Sequence, residues 1–424
     1  MKILFFILCC SFIFSIGDSE LINSIIIHGN KKTKDYIIQR ELLHPLNTPL
    51  DSLIMLEDIN RLYNLGIFSK VDIYKDKNIY HINLVESISL LPLPLIEYDE
   101  PKNEWTLGIA IADINFLGQN QKLFAGGTFI GDEMYNIGLY NPWVFGDHVS
   151  FTALIYNRYS KNIFYDFNFY DKRSLLEIGF YRGLHNKFKL NIGYYKNNIE
   201  ESSISNEYYD MVINKSLSYK YFSTGFNYRF DTRNIYIDPS NGLFIELNGN
   251  YYKGLNQADD IYSISTTFKQ YFSLKINYLD DPVFSYKVHA LLKYPDYNKL
   301  PIFSYEYLGG GDYVKGYSSI PNESPEDIQD LIENSNILCS SFEFQSTILK
   351  RKNYNQSDNS IEFGVDGFLF IDIGVGSKKY SQFNLKENLV GYGFGVKFFI
   401  TGPGVITLAF GFNPYGQYHL HISD

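Results

Sequence analysis

The sequence predicts two units in series: an α+β domain of order β-α-α-β-β, then a sixteen-stranded antiparallel transmembrane β-barrel. Three observations predict this. Aromatic residues make up 17% of the chain, with 37 Tyr and 34 Phe beside 32 Gly. Beyond an N-terminal apolar run, no segment reaches the roughly 18 apolar residues of a spanning helix. From Trp105 onward, apolar residues recur at every second position. The net charge of −10 argues against a nucleic-acid partner, which would need a basic face.

The apolar run comes first. Lys2 precedes Ile3 to Ile16, and Ser15-Ile16-Gly17 offers small residues for cleavage, so residues 1–17 read as a signal peptide. Cys9 and Cys10 lie inside it. Cys339 is then the one cysteine left, which excludes a disulfide framework or a cysteine zinc site in a monomer.

Residues 21–87 carry the α+β pattern. "SIIIHGN" (24–30) is a strand ended by a turn. "TKDYIIQRELL" (33–43) opens on Thr33, a capping residue type, and places Tyr36, Ile37 and Leu43 on about one face. A longer helix follows with Leu53, Leu56, Ile59, Leu62 and Tyr63 at helical spacing, stopped by Gly66. Leu56, Ile59, Tyr63 and Phe68 are its expected core. "KVDIYK" and "IYHINLVE" close the unit as strands, and no second copy follows. The order, with "LYNLGIFSKVDI" (62–73), resembles a POTRA domain, the periplasmic polypeptide-transport module. The alternative is an unrelated small α+β domain. The resemblance implies a client-binding sheet edge at Val71, Asp72, Ile73, Tyr74 and Lys75.

Pro92 and Pro94 mark residues 88–103 as a linker, and the barrel is expected over 104–424. In "LVGYGFGVKFFI" (389–400), Val390, Tyr392, Phe394 and Phe398 oppose Gly391, Gly393, Gly395 and Lys397. "VITLAFGF" and "GLFIELNGNY" alternate in the same way, an apolar face against small and polar residues, as a lipid-facing wall requires. At about 20 residues per strand and connection, residues 101–424 make roughly 16 strands, counted from "WTLGIAIADINF" to "QYHLHIS". A β-sandwich is the structural alternative; three hundred residues of it would normally divide into domains.

One such domain before a sixteen-stranded barrel resembles the BamA/TpsB superfamily of outer-membrane assembly and secretion proteins. Three stretches carry the likeness. Asp231-x-Arg233 followed by Pro239-x-x-Gly242 matches a strand–turn–strand motif. Val314-Lys315-Gly316-Tyr317, after three consecutive glycines, matches the tip of a long loop that folds into the lumen, here 309–335. Phe370-x-Asp372-x-Gly374 matches the inner-wall partner of that tip. Periodicity supports the last independently: if Leu369, Ile371, Ile373 and Val375 face lipid, Phe370, Asp372 and Gly374 face inward. A carboxylate there wants a cation or water; the resemblance implies that Lys315 is that cation, and the alternative is a solvated loop lysine. The family has arginine at this place, which grips a carboxylate through two parallel bonds, whereas lysine is a point charge. The chain also departs at its end, which is Asp424 where the family has an aromatic residue.

No catalytic constellation appears: there is no Gly-x-Ser-x-Gly elbow and no His-Glu-x-x-His helix. His419 and His421 fall on the inner face of the last strand and read as hydrated residues rather than a metal pair. The chain is therefore expected to be no enzyme and to need no cofactor or metal. The resemblance implies a factor in the cell outer membrane, its POTRA domain in the periplasm, that inserts or translocates unfolded outer-membrane or secreted polypeptides. Outer-membrane lipids and periplasmic chaperones would be further partners. A passive pore or structural barrel without client handling is the competing class.

Overall fold

The computed structural model describes residues 21–423, except 100–103, 147, 163, 257, 319–325, 327, 357–358, 381 and 401–403. The signal at 1–17 and Asp424 lie outside the described residues.

The N-terminal domain has β1 (Ser24–His28), α1 (Asp35–Gln39), α2 (Ser52–Asn64), β2 (Phe68–Asp76) and β3 (Ile79–Glu86). Its sheet runs β1-β3-β2, with β1 parallel and β2 antiparallel to the central β3. Asp51 starts α2 by accepting from the backbone N–H groups of Leu53 and Ile54. Gly66, at φ +72°, ends it.

Of the four expected core residues, Phe68 and Ile59 pack in the core of this domain, and Leu56 and Tyr63 do not. Ile37, Ile38, Leu62, Phe68, Tyr80 and Ile82 are fully buried, whereas Leu56 is 55% exposed. Leu53, Leu56, Ile59 and Leu62 step by three residues, and such a stripe drifts around a helix of 3.6 residues per turn. The stripe that packs is Met55, Ile59 and Leu62, with the wholly buried Asp58 beside it. Asp58 accepts from the backbone N–H of Leu43 at 2.6 Å and from the Tyr80 hydroxyl at 3.1 Å, which ties the α1–α2 connection under the helix. Burial pushes its carboxyl above the usual carboxylate range. Thr33 does not cap α1, which starts after Lys34; its hydroxyl accepts from Asn115 of the barrel.

Sixteen wall strands follow, each antiparallel to its chain neighbours, from Leu90–Asp99 to Tyr418–Ser423. The expected linker is largely absent, because Leu90–Asp99 is itself the first wall strand, paired with Glu104–Phe116. The strand read as first is the second. Prolines are tolerated in this strand because it lies at an edge of the sheet. Among the expected outward residues, Leu369, Ile371, Ile373, Tyr392 and Phe394 are exposed. Val375 is buried instead, so the outward stripe of its strand ends at Ile373.

Wall length is uneven. The twelfth strand, Asn336–Gln356, has 21 residues. The fourteenth to sixteenth, Leu389–Ile400, Gly404–Phe412 and Tyr418–Ser423, have 12, 9 and 6. The longest connection, residues 295–335, joins the eleventh strand (Asp280–Tyr294) to the twelfth and turns inward.

Candidate functional site: the inward loop and its slot

The triple glycine makes the loop tip. Gly309 bridges Val314, and Gly310, at φ +91°, donates its N–H to the Tyr317 carbonyl at 2.9 Å. The chain doubles back tightly and projects Lys315. Val314 and Tyr317 are both buried, packed with Leu308, Ile332, Ile337 and Leu389.

The lysine reaches Asp372 on the thirteenth strand (Asn359–Ser377). Its Nζ lies 2.9 Å from Oδ2, its backbone N–H donates to the same oxygen at 3.0 Å, and its ammonium stands 4.4 Å above the Phe370 ring. Asp372 is wholly buried. Its second oxygen, Oδ1, accepts no hydrogen bond among the described residues. Lysine engages one carboxylate oxygen and leaves the other bare, as its point charge implies.

The slot is carved by absent side chains. A Cβ on Gly391 would stand 1.7 Å from the Lys315 carbonyl oxygen, one on Gly411 2.3 Å from the Gly316 nitrogen, and one on Gly374 2.5 Å from Val314. Gly316 sits at φ +101° with the Phe412 carbonyl 2.4 Å from where its own Cβ would be, so only glycine serves there. The tip is then bonded strand by strand. The Tyr317 hydroxyl donates to the Val390 carbonyl at 3.3 Å, Asn413 donates to the Gly316 carbonyl at 2.8 Å, and the Gly316 N–H donates to His421 Nε2 at 3.1 Å. The tip thus spans the thirteenth to sixteenth strands. His421 is a ligand of the loop rather than a merely hydrated histidine. Its inward alternation was legible; its partner, a backbone N–H more than a hundred residues away, left no trace in the pattern.

Asp231, Arg233, Pro239 and Gly242 lie elsewhere, at the rim nearest the N-terminal domain. Arg233 grips Asp231 with two parallel bonds, 2.8 and 2.7 Å, beneath the Phe244 ring. Gly242, at φ +111°, would otherwise strike the Thr232 carbonyl at 2.4 Å. The turn between them bends into the lumen, where Asp238, next to Pro239, accepts from Gln345 and Arg351 of the twelfth strand.

The N-terminal domain lies across this same rim. Lys32 pairs with Asp113 at 3.1 Å, the Lys34 N–H donates to the Gly118 carbonyl at 3.0 Å, and Arg40 stacks 4.1 Å over Trp143. Asn64 donates to the Asn234 carbonyl and accepts from the Tyr236 N–H, each at 2.9 Å. The Tyr63 hydroxyl donates to Glu362; burial first, then that carboxylate, pushes the phenol well up, so it stays a donor. Tyr63 therefore serves the interface, not the domain core. β2, with Val71 to Lys75, is an edge strand of the domain's sheet, with no strand laddered beyond it among the described residues, and Asp72 and Tyr74 are exposed.

A POTRA-type domain in series with a sixteen-stranded barrel and an inward loop defines a class of outer-membrane transport proteins. Residues 115–419 match the Omp85 superfamily domain, and residues 21–87 match the POTRA family described as surface antigen variable number repeat. The chain belongs to the Omp85 superfamily and carries a POTRA domain ahead of its barrel. The BamA/TpsB members of that superfamily are non-enzymatic assembly and transport proteins. Among solved structures, BamA from Haemophilus ducreyi lacking POTRA domains 1–3 superposes with TM-score 0.56 at 14% identity, covering 94% of this chain and 82% of that one. CdiB from Escherichia coli gives 0.55 at 14% identity, covering 95% and 75%. At such identity these likenesses show the fold. No curated protein matches the chain in sequence.

Proposed function

We propose that this chain receives unfolded outer-membrane or secreted polypeptides at the β2 edge of its POTRA domain and passes them to the barrel seam for insertion or translocation. The superfamily's role in outer-membrane protein insertion or secretion supports the class. The observation that carries the reading further is a pair of unladdered edges. Among the described residues, β2 is laddered on one side only, and the first and sixteenth wall strands share no ladder. A strand edge binds an extended peptide through main-chain hydrogen bonds with little demand on sequence, as a general client receptor requires. A seam in lipid cannot leave its backbone groups unsatisfied at low cost, so it captures strands.

The barrel lies in the outer membrane with the POTRA domain in the periplasm, and outer-membrane lipids and periplasmic chaperones are its further partners. The loop tip, the inward turn at Asp238 and the domain across the rim all occupy the lumen or its mouth. That disfavours a passive pore. In vivo photocrosslinking from Asp72 and Tyr74, and from Leu420 on the last strand, tests the proposal. Unfolded β-barrel or secreted clients should be trapped at both places. Traps confined to the barrel's own loops, with steady single-channel conductance, would reverse it in favour of the pore.

A further inference from the structure

The first wall strand carries a feature that the rest of the barrel lacks: two prolines on the seam itself. Which side of the strand they serve follows from one bond. The Ile114 N–H donates to the Ser89 carbonyl at 2.9 Å, and the ladder from Leu90↔Asp113 to Asp99↔Glu104 continues without a register shift. In an antiparallel pair, bonded and non-bonded positions alternate. Leu91, Leu93 and Leu95 therefore bond to the second strand. Leu90, Pro92, Pro94, Ile96 and Tyr98 turn their backbone polar groups to the open seam. Proline has no N–H, so this edge offers a carbonyl at each of those positions but no donor at Pro92 or Pro94.

The facing edge is complete. The Asn413 N–H donates to the Gln417 carbonyl, and the register Gly411↔His419 to Thr407↔Ser423 keeps that phase. By the same alternation, Tyr418, Leu420 and Ile422 turn both N–H and C=O to the seam. Leu420 and Ile422 are 52% and 70% exposed on the outer face, and Pro92 and Pro94 stand beside Ile109 and Ile111, exposed on that face too.

We propose that Pro92 and Pro94 keep this barrel from zipping itself shut, because the first strand accepts but does not donate over its middle, and so leave the complete edge of the sixteenth strand open to a client strand. Two consequences follow. The last strand, if brought alongside, leaves carbonyls without donors wherever it meets a proline, in a medium without water to replace them. The open edge is also less costly than an ordinary one, because two orphan donors do not exist. Proline on a sheet edge is a general device against unwanted pairing; here it acts against the barrel's own sixteenth strand. The occupant is the client of the proposed function, and the inference about that occupant rests on that reading. The inference about closure does not.

The test compares the full-length protein in lipid nanodiscs with a Pro92→Val/Pro94→Val variant, by amide hydrogen exchange read by mass spectrometry. Folding of each is confirmed by heat-dependent gel mobility. In the natural protein the peptide covering 418–423 should exchange at least about tenfold faster than the eighth strand, Ser218–Asp231. In the double variant it should slow at least about tenfold, with the eighth strand unchanged. Pro282→Val, a proline of the eleventh strand away from the seam, should leave 418–423 unaffected. If the double variant does not fold, Pro94→Val alone should give a smaller slowing in the same peptide. Unchanged exchange at 418–423 in a folded variant overturns the proposal, as does a natural seam already as protected as the eighth strand. Client crosslinks from Leu420 should fall about fivefold or more in the closed variant. Slowed exchange with undiminished crosslinks overturns the client half alone.

Discussion

The wall far from the seam and the wall beside it are held by different means. In the sixth to ninth strands, Lys189 pairs with Glu177 and Arg229 with Glu246, each at 2.7 Å between neighbouring strands, over long ladders. The wall there carries its own inner packing. In the fourteenth to sixteenth strands the inner face carries Gly391, Gly393, Gly395 and Gly411 and the strands shorten; Lys315 and Gly316 of the loop cover Gly391 and Gly411, and the Phe370 and Phe368 rings cover Gly393 and Gly395. Beside the seam, part of the filling comes from another segment, the loop tip. A latch is a means to hold a wall that must at other times give way.

The comparison breaks most sharply at a glycine. Gly391→Val would place a branched side chain where the Lys315 carbonyl stands 1.7 Å from the Cβ position. Backbone on both sides cannot yield. The tip should be expelled, and limited proteolysis should cleave within 309–318 at least about tenfold faster than in the natural protein. Gly179→Ala in the sixth strand meets first the hydroxyl tip of Ser150 at 2.5 Å, which can rotate away. It should leave gel mobility and loop protection unchanged. Equal effects would mean that the slot is no more closely fitted than the rest of the wall.

Next in size is the ion pair. Lys315→Ala leaves a wholly buried carboxylate with one backbone donor, at a cost of about 3–5 kcal/mol. Asp372→Ala should cost less, because the freed ammonium, 15% exposed, can turn to luminal water. The double variant should be no worse than Lys315→Ala alone. Urea unfolding in detergent micelles measures all three. Additive losses would show that the two groups do not act on each other. Arg229→Ala, in a pair whose side chains are 36% and 21% exposed, should lose only about 1 kcal/mol.

Much of this was legible in the sequence, for physical reasons that also mark its limits. Alternation is strict where one face meets lipid, so the inward placement of Asp372 and Gly374 could be read residue by residue. The triple glycine and Val314 to Tyr317 announced a loop built to point. The prolines at 92 and 94 misled, because proline argues against a central strand and this strand is an edge, which no local pattern reveals. Thr33, Tyr63 and Lys32 look like ordinary domain residues; their partners Asn115, Glu362 and Asp113 lie across an interface that periodicity cannot address. His421 failed for the same reason. What one face requires is written locally, whereas what another segment brings to it is not.

The smallest expected effect bears on the residue by which this chain departs from its family. Asp372 Oδ1 is buried and accepts no hydrogen bond among the described residues, while Oδ2 takes both the Lys315 ammonium and its backbone N–H. Arginine at 315 has a planar fork long enough to reach both oxygens, and the Phe370 ring that now lies 4.4 Å below the ammonium would stack on a guanidinium equally well. A neutral hydrogen bond is worth about 1 kcal/mol net, and one to a charged group somewhat more. Lys315→Arg should therefore raise the unfolding free energy by about 1–2 kcal/mol and slow proteolysis of the loop severalfold, with the barrel otherwise unchanged. The gain should vanish in an Asp372→Asn background, which keeps the shape but removes the charge. If instead the arginine variant is neutral or weaker, the slot is fitted to a lysine, and the looser grip is a property this chain keeps: a latch at the seam, held by one oxygen, that releases more readily than two would allow.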